Sequence, residues 1–78
     1  MDGVPDPRSP ELPSVRVADD LRRRIQSDEW SVDEPLPSIA KLADQYDVST
    51  ATTRKALLAL EREGLVRIIP RWGTFRAQ

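Results

Sequence analysis

The sequence contains no cysteine and no histidine. Disulfides and the usual thiolate or imidazole metal sites are thereby excluded, so no zinc staples the fold and no metal is expected. Long apolar runs are missing too: nothing approaches the length that crosses a bilayer, and the N-terminus has no basic-then-apolar signal pattern. A soluble cytoplasmic protein without membrane contact is the expectation. Bulk is also lacking. A chain of 78 residues holds one small domain with a thin core, too little for a large catalytic cavity. No cofactor and no small-molecule effector are expected.

A strong excess of charge of either sign is absent as well, since 12 Lys and Arg face 13 Asp and Glu. That balance argues at first sight against nucleic acid, whose readers usually carry a basic footprint. The average hides an asymmetry. Residues 1–37 carry five Arg against nine acids, while residues 38–78 carry seven Lys and Arg against four. A basic half behind an acidic tail suits a nucleic-acid reader.

Residues 1–14 include Pro5, Pro7, Pro10 and Pro13 among polar and acidic neighbours. Too little apolar surface is present to offset the entropy of ordering them, which predicts a disordered tail and a folded domain over 15–78. From Val15 the pattern turns helical: Val17, Ala18, Leu21 and Ile25 share one face of a helix ending near Ser27 and Asp28. Trp30 and Val32 follow in a loop expected to fold back onto the core, because so large an aromatic is more useful buried.

Pro37 disfavours helix at Leu36, and Ser38 is placed to cap a second helix. Its apolar residues Ile39, Leu42, Ala43 and Tyr46 make a narrow stripe at i, i+3, i+4 and i+7. Asp47-Val48-Ser49 breaks that helix: Asp tolerates turn geometry, Val48 plugs the gap, and Ser49 caps the next helix. The third helix runs from about Thr50 to Glu63 with Thr53, Ala56, Leu57 and Leu60 inward, and Gly64 ends it where a left-handed residue is wanted. Leu65 to Ile69 is strand-like, Pro70-Arg71-Trp72-Gly73 is a turn, and Thr74 to Ala77 returns. The expected fold is mainly α with a small β-hairpin: three helices and a C-terminal wing, a winged helix-turn-helix.

Ser49 to Lys55 contains no acid, although a helix's first turn favours Asp and Glu. Ser49, Thr50, Ala51, Thr52 and Thr53 are small, and Arg54 and Lys55 are cations. The amide groups at such a helix start bind phosphate readily. Lys41 sits early in the second helix, where the dipole prefers an anion. A neighbouring phosphate would account for it. The bland alternative is a Thr-rich helix start and a solvated lysine.

Leu36-Pro37-Ser38, Leu42-Ala43, Val48-Ser49, Thr52, Arg54, Ala56-Leu57, Leu60-Glu61, Glu63-Gly64-Leu65-Val66 and Gly73-Thr74-Phe75 stand in one order. This succession resembles the signature of GntR-family DNA-binding domains over about Val15 to Ala77. The resemblance implies a third helix in the major groove of double-stranded DNA, a second bracing the backbone, and a wing tip toward the minor groove. Two arginines common in the family are replaced by Ala40 and Thr50. Thr and Ala make apolar or single hydrogen-bond contacts, often with a thymine methyl, so Thr50 and Ala51 imply a more A·T-tolerant site or weaker discrimination.

Arg54 aligns with the family's arginine and is the expected anchor, on phosphate or guanine. Lys55 is a supplementary backbone contact or a solvated side chain. Arg71 replaces a glycine common at the wing tip and could enter a narrow minor groove. Trp72 beside it packs under the wing, stacks on a sugar or faces a protein. Ser38, Lys41, Ser49, Thr50, Ala51, Thr52, Arg54, Lys55, Arg71, Trp72, Gly73 and Thr74 form the expected DNA interface. Leu58 points away from the buried stripe, toward a possible partner or dimer surface.

Family members mostly carry a ligand-sensing and dimerising domain after this one, whereas the chain begins with Met1 and ends just past the wing. A stand-alone, nucleoid-associated transcription regulator, most simply a repressor, is expected, with a homodimer or a protein partner; an excised fragment would look the same. The alternatives are a DNA-architectural or recombination accessory factor and a protein-interaction module that has lost DNA binding. An enzyme is not expected: Asp19 and Asp20 are adjacent on a helix and do not face each other across a pocket.

Overall fold

A computed structural model describes residues 12–78, in the order α1 (Pro13–Gln26), α2 (Ile39–Tyr46), α3 (Thr50–Arg62), β1 (Val66–Ile69) and β2 (Gly73–Arg76). The expected tail falls mostly outside the described residues. Its boundary moves, however, because α1 already starts at Pro13 and Ser14 is buried. Proline suits a first helical position, where its missing N–H has no intrahelical partner to lose and its φ is already set.

The stripe of Val17, Ala18, Leu21 and Ile25 is buried as its spacing predicts. After Asp28, at φ 63°, the chain turns back. Trp30 is 6% exposed, and the Arg24 guanidinium lies 4.7 Å from its ring centroid. Val32, expected to fold back with it, stays exposed.

Ser38 caps α2, its hydroxyl accepting from the Lys41 N–H at 3.1 Å. Asp47 ends the helix in the left-handed region at φ 54°, and the Val48 N–H returns to the Ala43 carbonyl. Ser49 caps α3 by accepting from the Thr52 N–H at 3.0 Å. Thr53 holds a fully buried stripe position because its hydroxyl donates back to the Ser49 carbonyl at 3.1 Å, so burial leaves no unpaired donor. At the other end Gly64, φ 79°, donates to the Glu61 carbonyl while the Leu65 N–H donates to Leu60. That pair of bonds is a Schellman closure, and it needs a residue free to adopt positive φ.

Helix α3 is central, packing on α1, on α2 and on β1, with Leu21, Ile25, Leu42, Leu57, Leu60 and Val66 fully buried among them. The hairpin is antiparallel, Val66 opposite Arg76 and Ile69 opposite Gly73. Its free edge is covered. The Leu36 N–H donates to the Thr74 carbonyl, the Asp33 N–H to Arg76, and the Arg76 N–H to Glu34, with Pro35 bridging Phe75. Residues 33–36 thus add a third, strand-like line that sequence patterning left as loop: the piece is too short to alternate, and its proline lacks a donor.

Candidate nucleic-acid interface

Charge is sorted over the surface. On α1 and the loop after it, three cations are neutralised, Arg22 by Asp19 and Glu63 at 2.8 and 2.6 Å, Arg23 by Asp20 and Arg24 by Glu29 at 2.6 Å, while the exposed Arg16 has no acidic partner among the described residues. Arg67 pairs with Asp33 and Arg76 with Asp28. These bonds hold the Arg22 and Arg24 guanidinium groups above their ordinary pKa, and hydrogen bonds from those arginines hold Glu63 and Glu29 below the usual carboxylate value. Among the described residues, Lys41, Arg54, Lys55, Arg62 and Arg71 have no acidic partner within 4 Å. All five are exposed, on α2, α3 and the wing.

An open groove of about 660 Å³ runs between the start of α2, the side of α3 and the wing. Ser38, Ala40, Arg54, Arg71, Trp72 and Gly73 are among its lining residues, and no carboxylate lines it. The groove therefore joins expected residues that are up to 36 positions apart in sequence, from Ser38 to Thr74. A site with two arginines and no acid suits a polyanion.

Thr50 and Ala51 are exposed in the first turn of α3, where helix amides have no intrahelical acceptor. Ser38 and Ser49 are exposed but occupied, since each hydroxyl closes a cap. Thr52 is half-buried and accepts from the Ser49 hydroxyl at 3.0 Å. Thr74 departs from expectation. It is 5% exposed, on the inward side of β2, and its carbonyl accepts from Leu36, although it still borders the wing groove. Packing of Trp72 under the wing is likewise excluded, because the indole is 77% exposed.

Lys55 lies away from the wing groove. It borders the start of α1 together with Leu12, Val15, Ala59 and Arg62. Arg62 was not among the expected contacts, yet the spacing of Ala51, Lys55, Leu58 and Arg62 sets all four on the outward face of α3, opposite the buried stripe. The sequence signal for it is the spacing alone, since Arg62 follows Lys55 by two helical turns on that face.

A model of the gntR family of bacterial regulatory proteins matches residues 13–75. The chain belongs to this family. It is 37% identical over 60 residues to the HTH-type transcriptional repressor NagR of Bacillus subtilis, covering 77% of this chain and 25% of that protein. With the HTH-type transcriptional repressor NanR of Cronobacter sakazakii it shares 40% identity over 55 residues, 70% of this chain and 21% of the relative. The chain thus spans about a quarter or less of the length of these curated relatives. The crystal structure of AraR(DBD) in complex with operator ORE1 matches with a TM-score of 0.86 at 26% identity, over 99% of this chain and 94% of that one. The helices and hairpin are accordingly a gntR-family winged helix-turn-helix. Ala40 and Thr50, which replace arginines of the family pattern, are both exposed, Ala40 in the wing groove and Thr50 at the start of α3.

Proposed function

We propose that this gntR-family domain binds double-stranded DNA sequence-specifically and regulates transcription, as a repressor working at the nucleoid. What carries this is the placement of unpaired cations: Lys41, Arg54, Lys55, Arg62 and Arg71 lie on α2, the outward side of α3 and the wing, while Arg22, Arg23 and Arg24 of α1 are neutralised. Two relatives named as transcriptional repressors, and a similar structure described in complex with an operator, support the same function. Helix α3 would enter the major groove with Thr50 and Ala51 toward base edges, Arg54 and Arg71 on either side of the wing groove, and the amides of the α3 start on phosphate. Ser38, Ser49 and Thr52 would act by fixing the helix starts, and Gly73 by allowing the turn into β2.

With no arginine at positions 40 or 50, the site read should lean toward A·T, with apolar contacts to thymine methyl groups. One domain covers one half-site, so two copies on half-sites about 10 base pairs apart would give the operator its affinity. Selection of duplexes from a random pool, by wild type and Arg54→Ala at two salt concentrations, tests this function. An enriched A·T-leaning motif that the variant retains more weakly is expected. Weak, motif-free retention that is identical for both proteins would overturn it.

A further inference from the structure

The wing tip combines three features that the fold does not require. The turn Ile69–Trp72 is closed by the Trp72 N–H donating to the Ile69 carbonyl at 3.0 Å, with Pro70 second and Arg71 third at φ 73°. A turn of that shape favours glycine at its third position. Among the described residues the other non-glycine residues at positive φ are all aspartates, which tolerate it better, so a long cation here is the exception. Next, Trp72 is 77% exposed beside Ile69, itself 37% exposed, whereas Trp30 is buried against Arg24. The chain thus buries one indole and displays the other. Third, Arg71 lacks an acidic partner among the described residues, and the groove that it shares with Trp72 and Arg54 contains no carboxylate.

An exposed indole flanked by unpaired cations fits a ligand with flat apolar faces on an anionic frame. A second copy of the chain would bring a second pair of arginines against the first. A duplex offers both parts of the match. With α3 filling the major groove, the wing faces the flanking minor groove, and apolar side chains entering from that side unstack base steps and kink the helix axis.

We propose that the wing is an aromatic wedge: on DNA the Trp72 indole enters a base step from the minor groove, Arg71 engages the adjoining phosphates, and the bound duplex is bent there. The wedge rests on the DNA-binding function proposed above. It adds a deformation of the ligand, on the order of 20–90°, and makes flexible pyrimidine–purine steps the preferred sequence under the wing.

The test uses a duplex recovered by selection, labelled at its ends with a donor and acceptor pair, and three proteins: wild type, Trp72→Phe and Trp72→Ala. Because residue 72 lies outside the core, the variants should melt as wild type does. The emission of Trp72 is the difference between wild type and Trp72→Phe. Saturating DNA should quench that emission and shorten the end-to-end distance, while Trp72→Ala leaves the DNA straighter and binds about tenfold more weakly. Arg54→Ala, brought to saturation, should still quench. Tight binding to a straight duplex with unaltered Trp72 emission would sink the wedge alone. A Trp72 change driven by protein concentration without DNA would sink it in favour of self-association. Failure of wild type to bind any duplex would remove both proposals.

Discussion

At position 71 a single side chain trades stability for reach. A non-glycine residue in the left-handed region costs about 1–2 kcal/mol, and glycine gives back part of that gain through the entropy of the unfolded chain. With Arg71 at φ 73°, Arg71→Gly should raise stability by up to about 1 kcal/mol while weakening DNA binding, checked by thermal melting alongside a binding titration. Gain in both properties, or loss in both, would refute the trade. Arg54 has a sharper diagnostic, since phosphate and guanine contacts differ in salt dependence. If it grips phosphate, Arg54→Ala should flatten the slope of log K against log salt by about 0.9 and leave the preferred motif intact. A guanine contact would relax one position of the motif at unchanged slope. Of the expected site residues, Arg54 and Arg71 are exposed and meet in one groove, and their exposure was legible because a cation at a helix start or a turn tip has little to bury against. The inward turn of Thr74 was not legible, because β2 is too short to show the period-two alternation that sets it.

Among the elements, α3 depends on its ends. Ser49→Ala removes the acceptor for Thr52 N–H and should cost about 1 kcal/mol in urea unfolding. The same change loosens the first turn, where Thr50 and Ala51 are displayed, so DNA affinity should fall with it. At the far end, Glu63 ties α3 to α1 through Arg22 Nε and Nη2, at 2.8 and 2.6 Å. Its carboxyl pKa lies below the ordinary value of 4.5, chiefly through those hydrogen bonds. Folding therefore gains from this group above the ordinary carboxylate range and loses that gain as pH falls through and below it. Solvent screening limits the effect to under about 1 kcal/mol. Accordingly Glu63→Gln should lower the urea midpoint at neutral pH and bring it level with wild type in acid. Equal midpoints at every pH would show the bridge to be idle. The wing is anchored to the same helix, because the Glu61 carboxylate accepts from the Ile68 N–H at 2.9 Å. Helix α3 and the ribbon are held in register by that bond.

For the molecule as a whole, stability is small. A core of this size supplies rarely more than about 3–5 kcal/mol, and truncating a fully buried leucine costs about 2–5. Leu57→Ala, at the junction of the helices, should therefore leave the chain largely unfolded at room temperature, visible as lost helical circular dichroism. Local chemistry alone determined much of this protein: helical stripes, Ser38 and Ser49 caps, the Asp47 and Gly64 turns, and the hairpin follow from interactions within a few residues of chain. Distance along the chain is what the sequence could not resolve. The long-range ion pairs such as Arg22–Glu63 and Arg76–Asp28, the third line of sheet at residues 33–36, the convergence of Arg54 with Arg71, and the exposure of Trp72 beside the burial of Trp30 all depend on partners or surroundings far along the chain. Pairing energies of that kind exist only once the core has closed, so tertiary packing decided them.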